Sequence, residues 1–473
     1  MVVGEFTEEV EVVVIGGGPA GYTAAIRAAQ LGKEVLLVEK KKLGGTCLNE
    51  GCIPSKTLIS VAKQYSTIEK WAEMGMNISD ASIDLPTLQK WKQEKVVNLL
   101  TQGVAGLCKA NKVNVVEGEA MFANEHQIRV ATEHQTVLYN FQHAIIATGS
   151  VTVELPGFSP DGTHILSSKE ALELNEVPKH LLVVGGGYIG LEIGTIYRKL
   201  GAEVTILEGL PDILPQFDNS LTQVLKRNLN KMGINVITEA MVVKEEKRSD
   251  KEITISAKVK GELQSFTAEK VLVAVGRKPN TSGLGLEKVG IETNDKGFIP
   301  INNKCQTNLN HIYAIGDVAG EPLLAHKAMY EGKIAAEIIA GKASAIDTET
   351  IPFVIFTDPE IAVVGLSKKQ AEEQGYQVIT GKCPFKANGR ALSLNDSDGY
   401  IEVVADAETN MIIGVQMAGP EVSNLISEAA LAIEMGTQLE DLALTIHPHP
   451  TLSEVMQEAV ENAMKLSIHT INK

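Results

Sequence analysis

The chain has 473 residues, 44% of them hydrophobic and 22% charged, and a formal net charge of −16. That composition excludes a disordered chain, and the length suggests roughly three domains at about 150 residues each. The acidic balance argues against nucleic acid as the main partner, and five cysteines are too few for a secreted scaffold stapled by disulfides.

Residues 1–11 carry acidic side chains and neither a basic run nor an apolar core, so they do not read as a signal peptide. No run of about 20 apolar residues predicts a membrane span. A reducing cytoplasm is the expected compartment. Residues 10–40 read VEVVVIGGGPAGYTAAIRAAQLGKEVLLVEK, and residues 180–209 read HLLVVGGGYIGLEIGTIYRKLGAEVTILEG. Gly16, Gly18, Gly21, Gly32 and Glu39 recur as Gly185, Gly187, Gly190, Gly201 and Glu208, each 169 residues further on.

Each copy predicts strand, glycine turn, helix, strand and terminal acid. The first glycine permits the tight turn, and the second lets backbone approach a pyrophosphate. The third lets helix pack on strand, and the acid accepts ribose hydroxyls. One such fingerprint is weak evidence. Two copies, each with the acid 23 residues after the first glycine, predict two bound dinucleotides.

Between the copies, residues 43–56 read LGGTCLNEGCIPSK. Cys47 and Cys52 are too far apart in sequence for the usual zinc spacing, and no second pair is present. Two buried thiols or a redox couple beside the first dinucleotide both fit. On a regular helix, residues five apart rise about 7.5 Å and face about 140° apart. A bridge therefore needs a distorted turn, which Gly44, Gly45 and Gly51 allow and Pro54 can help bend. Further strands with glycine turns are predicted over 140–150, 271–280 and 311–320. A linker is predicted near 340–351, with a mixed α+β segment beyond. Near the end, HPHPTLSE holds His447 and His449 between prolines, with Glu454 shortly after. A carboxylate on one imidazole nitrogen leaves the other as a base. Cys108, Cys305 and Cys383 have no motif partners and read as structural.

Over nearly its whole length the chain resembles the class I pyridine nucleotide–disulfide oxidoreductases, in the branch that oxidises dihydrolipoyl groups. The resemblance rests on GGGPAG, GGTCLNEGCIPSK, ATG, GGGYIGLE, AVGRKPN, YAIGDVAG, LAHKA and HPHPTLSE. It implies an α/β fold with two Rossmann-like dinucleotide-binding domains, for FAD and NAD, and a C-terminal α+β dimerisation domain. The FAD-binding domain would run over 1–152 and resume over 278–348. The NAD-binding domain would take 153–277 and the interface domain 349–473.

The resemblance also implies roles. FAD would meet Gly16, Gly18, Gly21, Glu39, Ala120, Gly149, Gly316, Asp317 and Ala325, with Lys56 and Glu192 paired beside the flavin. NAD would meet Gly185, Gly187, Gly190, Glu208, Val242 and Gly276. Cys47 and Cys52 would form the redox-active disulfide, with Cys47 attacked by substrate and Cys52 left as a thiolate towards the flavin. His449 would be the base and Glu454 its orienting acid, while His447 maps to no catalytic role. The implied partners are a second copy of the chain, as a homodimer, and the lipoyl-bearing acyltransferase of a 2-oxo acid dehydrogenase complex. No nucleic acid, membrane or metal partner is expected. Glutathione-type and mercuric reductases share the scaffold. The absence of cysteine from the C-terminal SIHTINK argues against the mercuric type, and Gly190 and Glu208 argue against the glutathione type.

Overall fold

The computed structural model describes residues 7–472; residues 1–6, which hold the expected start of the first domain and part of the segment read as no signal peptide, and residue 473 lie outside the described residues. Among the described residues, no helix is long and apolar enough to cross a membrane.

Val12, Val13 and Val14 are fully buried, on a strand covered on both faces. Each such side chain contributes about 1.5–3 kcal/mol by leaving water. That strand, Thr7–Ile15, lies inside a seven-stranded sheet. Val35–Glu39 and then Asn114–Glu117 continue the sheet in parallel on one side. Thr136–Ile146 pairs with it in parallel on the other, and Ile312–Ala314 joins Thr136–Ile146 from far along the chain. Gln127–Ala131 and Glu119–Asn124 extend the sheet antiparallel. The strand predicted over 140–150 thus starts earlier than expected, at Thr136, and ends at Ile146 ahead of the turn at Gly149. Its first half pairs with Gln127–Ala131 as well as with Thr7–Ile15, which holds polar Asn140 and Gln142 in strand conformation.

The second glycine copy lies in a five-stranded parallel sheet. Its order is Asn235–Ile237, Glu203–Leu207, His180–Val184, Lys270–Val273 and Ile165–Leu166. An antiparallel meander, Ala240–Arg248, Ile253–Val259 and Glu262–Ala268, accompanies it. Ser150–Thr152 pairs with Arg277–Pro279, so chain leaving the first sheet lies against chain leaving the second. The last sheet is antiparallel: Phe353–Ile355, Glu360–Gly365, Ile412–Gly419, Tyr400–Asp406 and Val378–Pro384. Helices Val422–Glu434 and Glu454–Ala463 pack on it around a separate apolar core.

The two copies match atom for atom in their turns. Gly16 N–H donates to Val38 O at 2.8 Å, and Gly185 N–H to Leu207 O at 2.8 Å. Helix Pro19–Gln30 packs along helix Ala325–Ile339 through small residues. A Cβ on Gly332 would stand 2.7 Å from Ala20 O, which is backbone and cannot swing aside. Gly332→Ala should therefore lower unfolding stability by about 1–3 kcal/mol, read as a fall in the urea midpoint at unchanged slope. A wild-type midpoint would mean that the two helices part without cost.

Candidate active site

Each glycine turn delivers the chain into a helix whose first N–H groups no side chain caps. Gly18 precedes Pro19–Gln30, and Gly187 precedes Tyr188–Lys199. Uncapped helix N-termini favour anions. A Cβ on Gly21 would sit 1.8 Å from Gly16 O, and one on Gly190 2.2 Å from Gly185 O, so the helices approach their turns at backbone distance. The opposite side is open. Nothing lies within 4 Å of a Cβ on Gly187, and only Gly45 Cα, at 3.9 Å, meets one on Gly18.

Glu39 accepts from Gly17 N–H at 2.6 Å and Lys41 N–H at 2.7 Å. Glu208 accepts from Gly186 N–H at 2.6 Å and Leu210 N–H at 2.7 Å. Both carboxylates are thereby aimed and retain lone pairs for hydroxyl donors. Uncapped N-termini, open cradles and fixed carboxylates fit two dinucleotides. Ala120 is buried on Glu119–Asn124, and Val242 is half-buried on Ala240–Arg248. Gly149 and Gly276 hold positive φ of 70° and 123° with open space where a Cβ would stand. Ala325 opens helix Ala325–Ile339, which also lacks a side-chain cap.

The cysteine segment folds as the distorted turn anticipated. Gly44 and Gly45 adopt φ of 92° and 54°, and a Cβ on Gly45 would meet Gly18 Cα at 2.7 Å. That contact seats the segment beside the first glycine turn. Cys47 lies on the short helix Gly45–Asn49, and Cys52 opens the long helix Cys52–Trp71. The break falls at Glu50 and Gly51 rather than at Pro54, which occupies the first helical turn, where its missing N–H breaks no bond.

Both cysteines are free thiols in this structure. Cys52 is exposed and Cys47 is half-buried. The hydrogen bond from Cys47 holds the Cys52 thiol down at about 7, against its partial burial and with help from the Lys56 charge. The same bond and burial push Cys47 up. The Lys56 charge, one turn along the helix that Cys52 opens, favours the charged form of Cys52.

Lys56 Nζ meets Glu192 Oε2 at 2.8 Å, and Phe356 N–H donates to Glu192 Oε1 at 2.9 Å. Glu192 is only 3% exposed, so its charge depends on these two partners. Lys56 also lies 4.7 Å from the centre of the Phe356 ring.

His449 Nδ1 meets Glu454 Oε1 at 2.8 Å, and Thr451 N–H donates to Glu454 Oε2 at 2.8 Å. Against partial burial, those two contacts hold the Glu454 carboxyl below its ordinary range. The His449 side chain is 81% exposed, so within one chain this dyad is not packed on the cysteine pair. His447 engages both nitrogens, with Glu428 at 2.7 Å and Thr445 O at 2.9 Å. Cys108, Cys305 and Cys383 are buried, and burial pushes Cys305 and Cys383 up to about 12.

Sequence reasoning missed the supports of Asp317. Ser150 Oγ donates to Asp317 Oδ2 at 2.5 Å, and Arg277 Nε donates to Ser150 Oγ at 2.8 Å. Ser150 and Arg277 did stand inside recognised glycine turns. Tyr188, pushed up to about 12 by burial, went unnoticed beside Gly187.

Residues 10–332 match the family model described as pyridine nucleotide-disulphide oxidoreductase, and residues 351–460 match that family's dimerisation domain. The chain belongs to the pyridine nucleotide-disulphide oxidoreductases. It is 50% identical to a protein named dihydrolipoyl dehydrogenase from Geobacillus stearothermophilus, over 100% of both chains. It is also 50% identical to one of that name from Bacillus subtilis (strain 168), again over 100% of both. Among solved structures, LpdA from Mycobacterium tuberculosis matches with TM-score 0.89 at 28% identity, over 96% of this chain and 99% of that one. The HOCl-induced flavoprotein disulfide reductase RclA from Escherichia coli matches with TM-score 0.85 at 28% identity, over 95% and 99%.

The thiol asymmetry is open to test in FAD-free reduced protein. Thiolate absorbance should rise with an apparent pKa of about 7. Cys47→Ala removes the hydrogen-bond donor, so the titration should move up by about one unit or more, as loss of a charge-assisted bond requires. An unmoved curve would mean that Lys56 and the helix terminus suffice.

Proposed function

We propose that this chain is a dihydrolipoyl dehydrogenase, which oxidises dihydrolipoyl groups on a lipoyl-bearing acyltransferase and reduces NAD⁺. The observation that carries the reading is the placing of Cys47 and Cys52 beside the first glycine turn, where Gly45 rests on Gly18 and Lys56, held by Glu192, follows Cys52 one turn along its helix. In the oxidised enzyme Cys47 and Cys52 are joined, and His449 Nε2 takes the proton of the substrate's first thiol. The substrate thiolate attacks Cys47 Sγ, and the Cys47–Cys52 bond breaks. Cys52 leaves as a thiolate, and a low-pKa thiol leaves faster. The substrate's second thiol then attacks its own sulfur in the mixed disulfide and releases Cys47, which takes up a proton. Lipoyl leaves as the cyclic disulfide, and the enzyme holds two sulfurs reduced by one electron pair.

FAD, when bound, carries that electron pair onward to NAD⁺. The chain's own residues prepare both ends. Lys56 beside Cys52 stabilises its negative charge, and Glu192 keeps Lys56 in place. Gly16, Gly18, Gly21, Glu39, Ala120, Gly149, Gly316, Asp317 and Ala325 would hold FAD. Gly185, Gly187, Gly190, Glu208, Val242 and Gly276 would hold NAD, and the Glu208 carboxylate disfavours a 2′-phosphate there. The FAD-binding part would comprise 1–152 and 278–348, the NAD-binding part 153–277 and the interface part 349–473, in a cytoplasmic homodimer.

Anaerobic titration with dihydrolipoamide tests the activity. The flavin spectrum should change to an endpoint near one equivalent per FAD, and NAD⁺ should then return it to the oxidised form. A spectrum unmoved by dihydrolipoamide but bleached by NADH would reject the substrate.

The exposed His449 suggests that its target is the disulfide of the other subunit. His449→Ala and Cys47→Ser homodimers should both be inactive. In a heterodimer of the two, both lesions fall in one shared site and the other site stays intact. Activity should return, approaching half of wild type per heterodimer. Isolated heterodimers that stay inactive would place the base within its own chain.

A further inference from the structure

Two buried charged side chains take no part in the chemistry described above. Lys327 and Glu331 lie one turn apart on helix Ala325–Ile339 with 9% and 4% exposure, and their Nζ and Oε1 are 3.0 Å apart. Their remaining capacity goes to a single backbone segment. Glu331 Oε2 accepts from Gly316 N–H at 2.6 Å, and Lys327 Nζ donates to Gly320 O at 2.9 Å and reaches Gly316 O at 3.4 Å. Between those anchors runs the turn that carries Asp317.

Within that turn Ala319 N–H donates to Gly316 O at 3.0 Å, and Gly316 N–H is left to Glu331. Gly316 has φ of 73°, and its place leaves no room: a Cβ there would meet Ala328 Cβ at 3.1 Å and Ala20 Cβ at 3.2 Å. Ser150 holds Asp317 from the side-chain end alone. The backbone beneath is held by the ion pair, which also receives the chain as it leaves the strand Ile312–Ala314.

We infer that Lys327 and Glu331 are positioning residues for FAD: they clamp the Gly316–Gly320 backbone so that the Asp317 carboxylate stands where the flavin nucleotide's hydroxyls meet it. This rests on the reading that places FAD at Asp317. A buried ion pair is seldom retained for stability alone, because desolvation offsets its attraction. Here Glu331 gives the buried Gly316 N–H its acceptor, and Lys327 gives Gly320 O a donor. Burial pushes the Glu331 carboxyl up, and the Lys327 charge and Gly316 N–H oppose that push.

The test measures the FAD dissociation constant from flavin fluorescence, and the unfolding midpoint of FAD-free protein. It uses wild type, Asp317→Asn, Lys327→Met/Glu331→Gln, and the three substitutions together. The paired substitution leaves no lone buried charge and retains an amide oxygen for Gly316 N–H. It should weaken FAD binding about 10- to 100-fold, the worth of a hydrogen bond to a charged group. In the Asp317→Asn background it should add less than about threefold, because residues acting through one contact are not additive. A pair that served stability alone would add its full factor in both backgrounds, and that result overturns the inference. So does a paired variant that binds FAD within threefold of wild type. Asp317→Asn with unchanged FAD affinity would overturn both this inference and the placement it rests on. If the paired variant does not accumulate folded, Glu331→Asp keeps the charge but withdraws it from Gly316 N–H. The same two criteria then apply to it.

Discussion

The rest of the structure depends on contact between backbone and backbone at two glycine turns. Gly21 and Gly190 bring their helices so close to Gly16 O and Gly185 O that any Cβ would overlap the carbonyl. This is a steric constraint, and it fixes where each helix begins relative to its strand. From that follow the open cradles at Gly18 and Gly187 and the position of Glu39 and Glu208 opposite them. The cysteine segment inherits its place the same way, since Gly45 rests on Gly18 with no side chain between. A cysteine pair beside an open glycine cradle is thus a consequence of glycine packing.

The fold was legible because its two central units repeat. Buried valine-rich runs, a glycine turn and a terminal acid are local patterns, and each governs structure within a few residues. The last sheet was legible only as a mixed α+β segment. Its strands, such as Tyr400–Asp406 and Ile412–Gly419, are joined by ordinary connections without a fingerprint. The start of the strand Thr136–Ile146 was misjudged because it is set by pairing with other strands, which no local window contains.

The site divides the same way. Cys47, Cys52, His449 and Glu454 stand in short motifs and were named from them. Lys56 with Glu192, and Ser150 with Arg277 and Asp317, are contacts across more than a hundred residues of chain. The first of these was reached by resemblance and the second was not reached at all. Lys327 and Glu331, at helical spacing, are indistinguishable in sequence from a solvated surface pair. Only burial shows that their charges face inward.

One device recurs at five carboxylates of this protein. Glu39 and Glu208 each accept from two backbone N–H groups, and Glu192, Glu331 and Glu454 each accept from one. In the last three, the other oxygen meets a lysine or a histidine. A backbone donor cannot rotate away, as a side-chain donor can, and a hydrogen bond to an ionised group is roughly twice as strong as one between neutral groups. The carboxylate is fixed, and in the last three its second oxygen is left for a task. At Glu39 and Glu208 lone pairs remain for ligand hydroxyls. At Glu192 the second oxygen steadies the cation beside a thiolate, and at Glu454 it orients an imidazole. Had these acids been held by arginines, their charges would have been neutralised on the spot and the remaining lone pairs consumed by the bidentate fork. The chain carries far more acidic than basic residues, so backbone amides are the donors it can use for this purpose without drawing on scarce cations.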